Sequence, residues 1–415
     1  MNTLYNWLIY LTSSVLKIAA QFNPKLKKFV SGRKEVMTFL RKNIQKTDRI
    51  IWLHTASLGE FEQGLPLIET LKLKYPSHKI LVTFFSPSGY EVKKNSPVAD
   101  IITYLPLDTK KNAKTFIQIV NPEMAFFVKY EFWPNFLYEL KKHQIPTYLI
   151  SGIFRKSQIF FKPYGVFTKK WLHTFTHFFV QTRESKSLLK SIGFNNTTIS
   201  GDTRFDRVIE ISQRNNKLEF IEEFLNSSKC IVFGSSWPED EAIYCSFINN
   251  SKNQTKYIIA PHNIKPTEID ALQKQLTVPS LRYSEREGKT LSNYNVIIID
   301  TIGLLTKIYS YATIAYVGGG MGKTGLHNIL EPAVFGIPVV IGKNYSKFNE
   351  ALDLVSMGGV ISISNEVEFN HTLSTLLKNH KYTKELGSIN SNYIQKNSGS
   401  TKRITDFIEK TILFK

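Results

Sequence analysis

Apolar residues in this chain fall into short runs of four or five, separated by longer stretches with helical periodicity. In the first half the runs are 50–54, 80–84, 101–105, 124–128, 147–150 and 177–181. In the second half they are 230–234, 256–260, 296–300, 314–317 and 337–341. Runs this short and this continuously apolar predict strands buried on both faces. The amphipathic stretches between them, such as 62–75 and 135–143, are the covering helices. The pattern lapses over about 205–229, which is polar, charged and holds a helix, and then restarts. The expectation is an α/β protein of two Rossmann-like, doubly wound domains facing a cleft, with ligands beyond the carboxyl ends of strands.

The first twenty residues follow another rule. Leu4, Leu8, Leu11, Val15 and Ile18 share one helical face, with Asn6, Ser13 and Lys17 on the other. The 17 residues 4–20, interrupted by polar groups, predict an interfacial helix better than a spanning one. They lack the basic start and cleavage site of a secretory signal. Residues 25–49 then carry nine cations against Glu35 and Asp48. A basic segment after an apolar helix stays on the cytoplasmic side and is drawn to anionic lipid. The segment 155–171 mixes cations with Phe160, Phe161 and Tyr164 and is expected on the same membrane-facing side. The competing expectation is a solvated helix packed on its own domain.

Composition narrows the partners. With 415 residues, 42% hydrophobic, the chain is long enough for two cores. A formal net charge of +19 asks for a polyanion: nucleic acid, anionic membrane or phosphorylated substrate. No zinc-finger spacing, RNP-like string or Arg-rich tail supports nucleic acid. The two cysteines, Cys230 and Cys245, suit a reducing compartment. No His, Asp and Glu cluster has metal-ligand spacing, so no metal and no cofactor is expected.

Candidate chemistry concentrates at strand ends. After the run 314–317 comes Gly318-Gly319-Gly320-Met321-Gly322-Lys323-Thr324-Gly325-Leu326-His327-Asn328-Ile329-Leu330-Glu331. Glycines let backbone approach an anion, a helix start attracts phosphate, and an acidic residue can grip ribose hydroxyls. A nucleotide site is expected, with a mere packing turn as the plain alternative. A Walker A loop ending at Gly322-Lys323-Thr324 would need glycine where Val317 stands. In the first half, Glu60 follows the run 50–54 on a Ser57-Leu58-Gly59 turn, as a general base or as a helix cap. His54 is expected to pack and hydrogen-bond beside it. Ser235 and Ser236 after 230–234 could touch phosphate, and Asp100 and Asp108 read as surface or cap residues.

The motifs are more specific together. His54-x-x-Ser57-x-Gly59-Glu60, Thr83-x-x-Ser86-Pro87-Ser88-Gly89, Glu131-Phe132-Trp133-Pro134-Asn135, Gly201-Asp202-Thr203-Arg204-Phe205-Asp206, and Val317-Gly318-Gly319 with Gly325-x-His327-Asn328-x-Leu330-Glu331 follow in this order. The chain thereby resembles, over essentially its whole length, the 3-deoxy-D-manno-octulosonic acid (Kdo) transferases of lipopolysaccharide synthesis, glycosyltransferases of the GT-B fold. The resemblance implies a membrane-associated helix at 1–22, an acceptor-binding domain at 23–205, a linker at 206–228, a CMP-sugar-binding domain at 229–395 and a C-terminal helix at 396–415. It implies Kdo transfer, with inversion, from the donor substrate CMP-Kdo to a phosphorylated lipid A precursor. The place implied is the anionic cytoplasmic surface of the inner membrane, anchored through the N-terminus, with no nucleic acid involved.

The resemblance also assigns roles. Glu60 matches the catalytic base, and Arg204 matches a basic residue, usually Lys, that stabilises the transition state. Pro261-His262, Ile302-Gly303-Leu304 and Asn328-Ile329-Leu330-Glu331, with Gly318 and Gly319, match the segments that hold CMP. Glu331 would bind ribose, and a helix beginning near His327 would face the phosphate. This chain departs from the family at Lys129-Tyr130-Glu131, where Glu-Thr-Glu is common. The resemblance then implies that Glu131 or Lys129 does part of the first glutamate's transition-state role, or that this role is less essential here. His262 stands where Arg is usual, and Leu304 where Glu is.

Overall fold

The computed structural model describes residues 2–251 and 254–413. Fourteen strands are seen among them: β1 Arg49–Thr55, β2 His78–Phe84, β3 Ile101–Tyr104, β4 Met124–Val128, β5 Thr147–Gly152, β6 His177–Val180 and β7 Thr197–Ile199, then β8 Cys230–Ser236, β9 Lys256–Pro261, β10 Ser280–Arg282, β11 Val296–Ile298, β12 Ile314–Val317, β13 Val339–Gly342 and β14 Val360–Ile363. They make two seven-stranded sheets, ordered β3-β2-β1-β4-β5-β6-β7 and β10-β11-β9-β8-β12-β13-β14. Every pairing is parallel. Strand order reverses between β1 and β4 in the first sheet and between β8 and β12 in the second. Ligand crevices of such sheets open at those points.

Both faces of each sheet are buried, as the apolar runs predict. In β1, Ile50 and Trp52 pack with Leu81, Phe127 and Phe178, while Ile51 and Leu53 pack with Val82, Phe126 and Phe179 on the opposite face. The second sheet does the same, with Ile231 and Phe233 in one core and Val232 and Ile258 in the other. The three strands absent from the hydrophobic pattern, β7, β10 and β14, are all sheet edges. An edge strand has one ladder neighbour and tolerates residues such as Thr197, Ser280 and Ser362.

The chain divides into two units, the second running Val208–Asn397. The first holds everything up to Arg207 and also the stretch from Ser398 onward. The C-terminal helix Ser400–Leu413 therefore completes the first unit: Ile404 and Ile408 enter its core, and Lys74 pairs with Glu409 at 2.5 Å. Asp206 fastens this helix by accepting the backbone N–H of Gly399 at 2.5 Å and Thr401 at 2.6 Å.

The N-terminal helix Asn2–Ala19 lies on the first unit by its polar side. Asn6 is buried and accepts from Asn135 Nδ2 at 2.8 Å, and the Tyr5 hydroxyl donates to Asp108 at 2.7 Å. Asp108 also accepts the N–H groups of Asn135 and Phe136, so it is a cap but a buried one, not a surface residue. Leu4, Trp7, Leu8, Leu11, Val15 and Ile18 are left exposed. The helix thus packs on its domain and keeps an apolar face outward. Among the described residues, no helix is long and apolar enough to cross a membrane. In the segment 155–171, Tyr164 is exposed but Phe160 is buried in the core, so only part of it can face a membrane.

Candidate functional site

The first unit gathers its chemistry where β1 meets β4. Ser57 caps the helix Leu58–Lys74, and Glu60 completes a capping box. Its Oε2 accepts the N–H of Ala56 at 2.5 Å and of Ser57 at 3.2 Å. Capping and acid–base work are therefore not alternatives here. Burial pushes the Glu60 carboxyl up to about 7, and the negative charge of Glu131 adds to the rise, against the pull of the two N–H groups and of Lys129. A carboxyl in that range is half ionised at neutral pH, which suits a base for a hydroxyl.

Glu131 and Lys129 arrive from the turn after β4. Lys129 has φ of 62°, the left-handed region, which turns the chain sharply out of the strand. The Trp133 indole N–H is shared between Glu131 Oε2 and His54 Nε2, both at 3.0 Å. That makes Nε2 an acceptor and leaves His54 Nδ1 to donate to Thr83 Oγ1 at 2.9 Å. Thr83 also accepts from Trp52 Nε1 at 2.8 Å. His54 is fully buried, so its role is to hold Trp133 and Glu131 in place.

Arg204 joins this centre through Asp202. Asp202 Oδ1 accepts from Gln63 Nε2 at 2.6 Å and from the Arg204 N–H at 2.9 Å, while Oδ2 takes Arg204 Nε at 2.8 Å. Burial alone would raise the Asp202 pKa, but the charge and hydrogen bonds of Arg204 outweigh it and hold Asp202 below the usual carboxylate range. One edge of the guanidinium is thus committed to an internal carboxylate, a partner the sequence reading did not assign. Thr203 bonds to Ser151 and Gln63, so the motif around Arg204 is mostly framework.

The second unit's candidate residues lie at the carboxyl ends of β8, β9, β11 and β12. Pro261 ends β9, and the His262 backbone N–H donates to Ser236 O at 2.9 Å. Trp237 donates from its indole N–H to His327 Nε2 at 3.0 Å, the two rings lying within 14° of coplanar. The exposed His262 ring covers both, 4.5 Å from each centroid. Burial, with His262 adding, pulls the His327 pKa down to about 4; burial lowers His262 as well. Trp237 is absent from the sequence reading. Its signal was a large aromatic directly after a strand's carboxyl end, just before Pro238. Ile302 and Gly303 are exposed in the loop after β11, and Leu304 caps the short helix that follows. Asn328 donates to Glu331 at 3.1 Å and caps the Leu330 N–H at 3.2 Å, which orients the Glu331 carboxylate.

Three expectations are corrected here. The glycine turn does not run straight into a helix: the helix is Leu330–Ala333, four residues, and starts after His327. The N–H groups of Gly318 and Gly319 are not open to phosphate either. Gly318 N–H donates to Gly234 O at 2.9 Å, and Gly319 N–H to Asp240 Oδ2 at 2.8 Å. Asp240, buried on the helix Pro238–Asn249, also takes the Tyr316 hydroxyl at 2.7 Å, so an internal carboxylate fills the turn. The glycines serve packing: a Cβ on Gly319 would lie 2.1 Å from Gly325 O, and one on Gly342 would lie 2.3 Å from Gly320. Ser236 is buried, with its hydroxyl engaged by Tyr244 and Glu241, so it does not offer a free group to phosphate. The Walker A loop, already disfavoured by Val317, does not form: no helix opens at Lys323 and Thr324.

Two parallel-sheet α/β units of this topology have the GT-B-like glycosyltransferase fold. Solved structures share this fold: the UDP-GlcNAc 2-epimerase of Neisseria meningitidis has a TM-score of 0.62 at 16% identity, over 87% of this chain and 100% of that one. The putative UDP-N-acetylglucosamine 2-epimerase of Listeria monocytogenes has a TM-score of 0.61 at 12% identity, over 89% and 98%. Residues 31–207 match the family model of 3-deoxy-D-manno-octulosonic-acid transferase (kdotransferase). The 3-deoxy-D-manno-octulosonic acid transferase of Aquifex aeolicus is 29% identical over 83% of this chain and 91% of its own length. That of Haemophilus influenzae is 27% identical over 86% of each. Together these matches support a Kdo transferase.

Proposed function

We propose that the protein moves Kdo from CMP-Kdo to a phosphorylated lipid A precursor, with inversion, on the cytoplasmic surface of an inner membrane. Glu60 takes the proton of the acceptor hydroxyl, whose oxygen bonds to the anomeric carbon of Kdo. The bond from that carbon to the phosphate oxygen breaks, and CMP leaves with the electron pair. Lys129 and Arg204 supply positive charge to the donor's carboxylate or phosphate, with Arg204 held in place by Asp202. Glu131 keeps Glu60 basic by like-charge repulsion. On the second unit, Pro261, His262, Ile302, Gly303, Leu304, Asn328, Ile329, Leu330 and Glu331 bind CMP, Glu331 taking the ribose hydroxyls. Trp237 supports the ring of His262.

The observation that carries this reading is the Glu60 carboxyl, held near neutrality at the strand-order reversal of the domain that matches the Kdo transferase model. The outward apolar face of the N-terminal helix and the cations of 25–49 support membrane association. Mass spectrometry of products from purified protein, CMP-Kdo and lipid A precursor tests it: one or more Kdo added per acceptor is expected. An unchanged acceptor, with CMP-Kdo intact, sinks the reading.

A further inference from the structure

A cavity of about 900 Å³ lies within the first unit, between the N-terminal helix, the helix Pro24–Ser31 and the loop at Pro106 and Leu107. Its lining divides by chemistry. Leu16, Phe29, Val30, Met37 and Leu107 are apolar, whereas Lys17, Lys27 and Lys34 bring cations. No carboxylate lines it among the described residues, and none of these three lysines forms an ion pair.

Arg33 adds a fourth charge to the wall. Its guanidinium donates to the carbonyls of Leu105 at 2.9 Å, Phe29 at 2.8 Å and Phe85 at 2.5 Å, and is covered by the rings of Phe29, Phe85 and Tyr104. Among the described residues it too has no acidic partner, and burial pulls its pKa down to about 9. Four cations thus meet one cavity without a counter-charge, an arrangement that an anion completes. The same helix that roofs the cavity with Ser13, Leu16 and Lys17 exposes Leu4, Leu8, Leu11 and Val15 on its other side, and Phe22 follows it 82% exposed.

We propose that this cavity draws one anionic glycerophospholipid out of the leaflet, its headgroup phosphate among Lys17, Lys27 and Lys34 and its first acyl carbons along Leu16, Val30 and Leu107. The inference rests on the membrane reading above and makes docking a specific lipid-binding event, beyond attraction of a basic surface. Charge and apolar wall match the two ends of such a lipid, whereas a nucleotide or free sugar would leave the apolar wall wet.

The test uses the full chain in bilayer nanodiscs of mixed phosphatidylglycerol and phosphatidylcholine, released into native mass spectrometry. One phosphatidylglycerol should stay on each wild-type chain. Lys17→Gln/Lys27→Gln/Lys34→Gln should lower its occupancy at least tenfold. Ser13→Trp, which fills the cavity and leaves the charge intact, should do the same. Lys110→Gln/Lys111→Gln/Lys114→Gln removes equal charge from a separate surface groove and should retain the lipid. Sedimentation with phosphatidylglycerol vesicles reads the membrane reading by itself, so a wild type that sediments yet retains no lipid overturns only the cavity assignment. Equal loss in both triple variants, or retention in Ser13→Trp, likewise overturns it in favour of bulk charge. Displacement of the phosphatidylglycerol, mole for mole, by lipid A precursor would give the cavity to the acceptor instead.

Discussion

Glu60 shows how much one side chain can carry. Glu60→Gln keeps a capping-box partner, since Gln fills that position as well as Glu, and removes only the ionisable group. Turnover should fall at least ~100-fold with CMP binding intact. Burial holds the folded pKa at about 7 against an ordinary value of 4.5, so ionised Glu60 opposes folding. The cost is absent near pH 4.5, grows as pH rises and is complete above 7, where it reaches roughly 3 kcal/mol. Glu60→Gln should therefore match wild type in stability at low pH and exceed it at pH 8, in denaturant titrations at both. Wild-type kcat/KM for acceptor should rise with pH and level off above about 7; a profile flat from pH 5.5 to 8.5 would remove Glu60 as the base. Arg204 offers a second residue-scale test. Arg204→Ala strands the buried Asp202 carboxylate at about 3–5 kcal/mol, so its lost activity would be ambiguous. Arg204→Lys keeps a charge beside Asp202 and should retain activity within ~10-fold, because a point charge replaces a committed edge. Loss of turnover in a fully folded lysine variant would mean that the guanidinium itself grips substrate.

At the scale of elements, the two chain ends turn out to be fastened by residues inside the family motifs. Asn135 of the Glu131–Asn135 motif holds Asn6 of the N-terminal helix, and Asp206 of the Gly201–Asp206 motif caps the C-terminal one. Asp206→Ala should destabilise the first unit by ~1–2 kcal/mol, the usual worth of a helix cap, and expose the chain after Ser398 to limited proteolysis. Resistance equal to wild type would show that Ile404 and Ile408 hold the helix without the cap. The buried strands were legible because each carries a full apolar run. The edge strands β7, β10 and β14 were not, because they are short and carry polar residues such as Thr197, Ser280 and Ser362 instead of a full apolar run. The glycine turn was legible as a turn, but its occupant was not. Asp240 lies far from Gly319 in sequence, and nothing local to either announces that one fills the other.

For the molecule as a whole, the proposed function assigns donor chemistry to one unit and acceptor chemistry to the other, and each can be probed alone. Glu331→Ala should weaken protection by CMP against thermal unfolding, whereas Lys323→Ala should leave it, because no Walker loop is formed. ATP protection that disappears with Lys323→Ala would reverse that conclusion. Deleting residues 1–20 should release the protein from anionic vesicles at physiological salt and leave CMP protection unchanged. Undiminished sedimentation would shift docking onto the cations of 25–49, each worth roughly 1 kcal/mol near an anionic leaflet.

The sequence by itself determined the two parallel sheets, the positions of the buried strands, the amphipathic first helix and the order of the motifs. All of these depend on local periodicity or on short spacings along the chain. Only tertiary structure decided what the motif residues touch. Burial beside Glu131 makes a capping glutamate a candidate base. Asp202 neutralises one edge of Arg204, and Asp240 takes the Gly319 N–H of the glycine turn. Trp237, His262 and His327 become one cluster of rings. Charge, desolvation and stacking depend on distance in space, and the fold sets that distance between residues far apart in the chain, 139 positions in the case of Gln63 and Asp202.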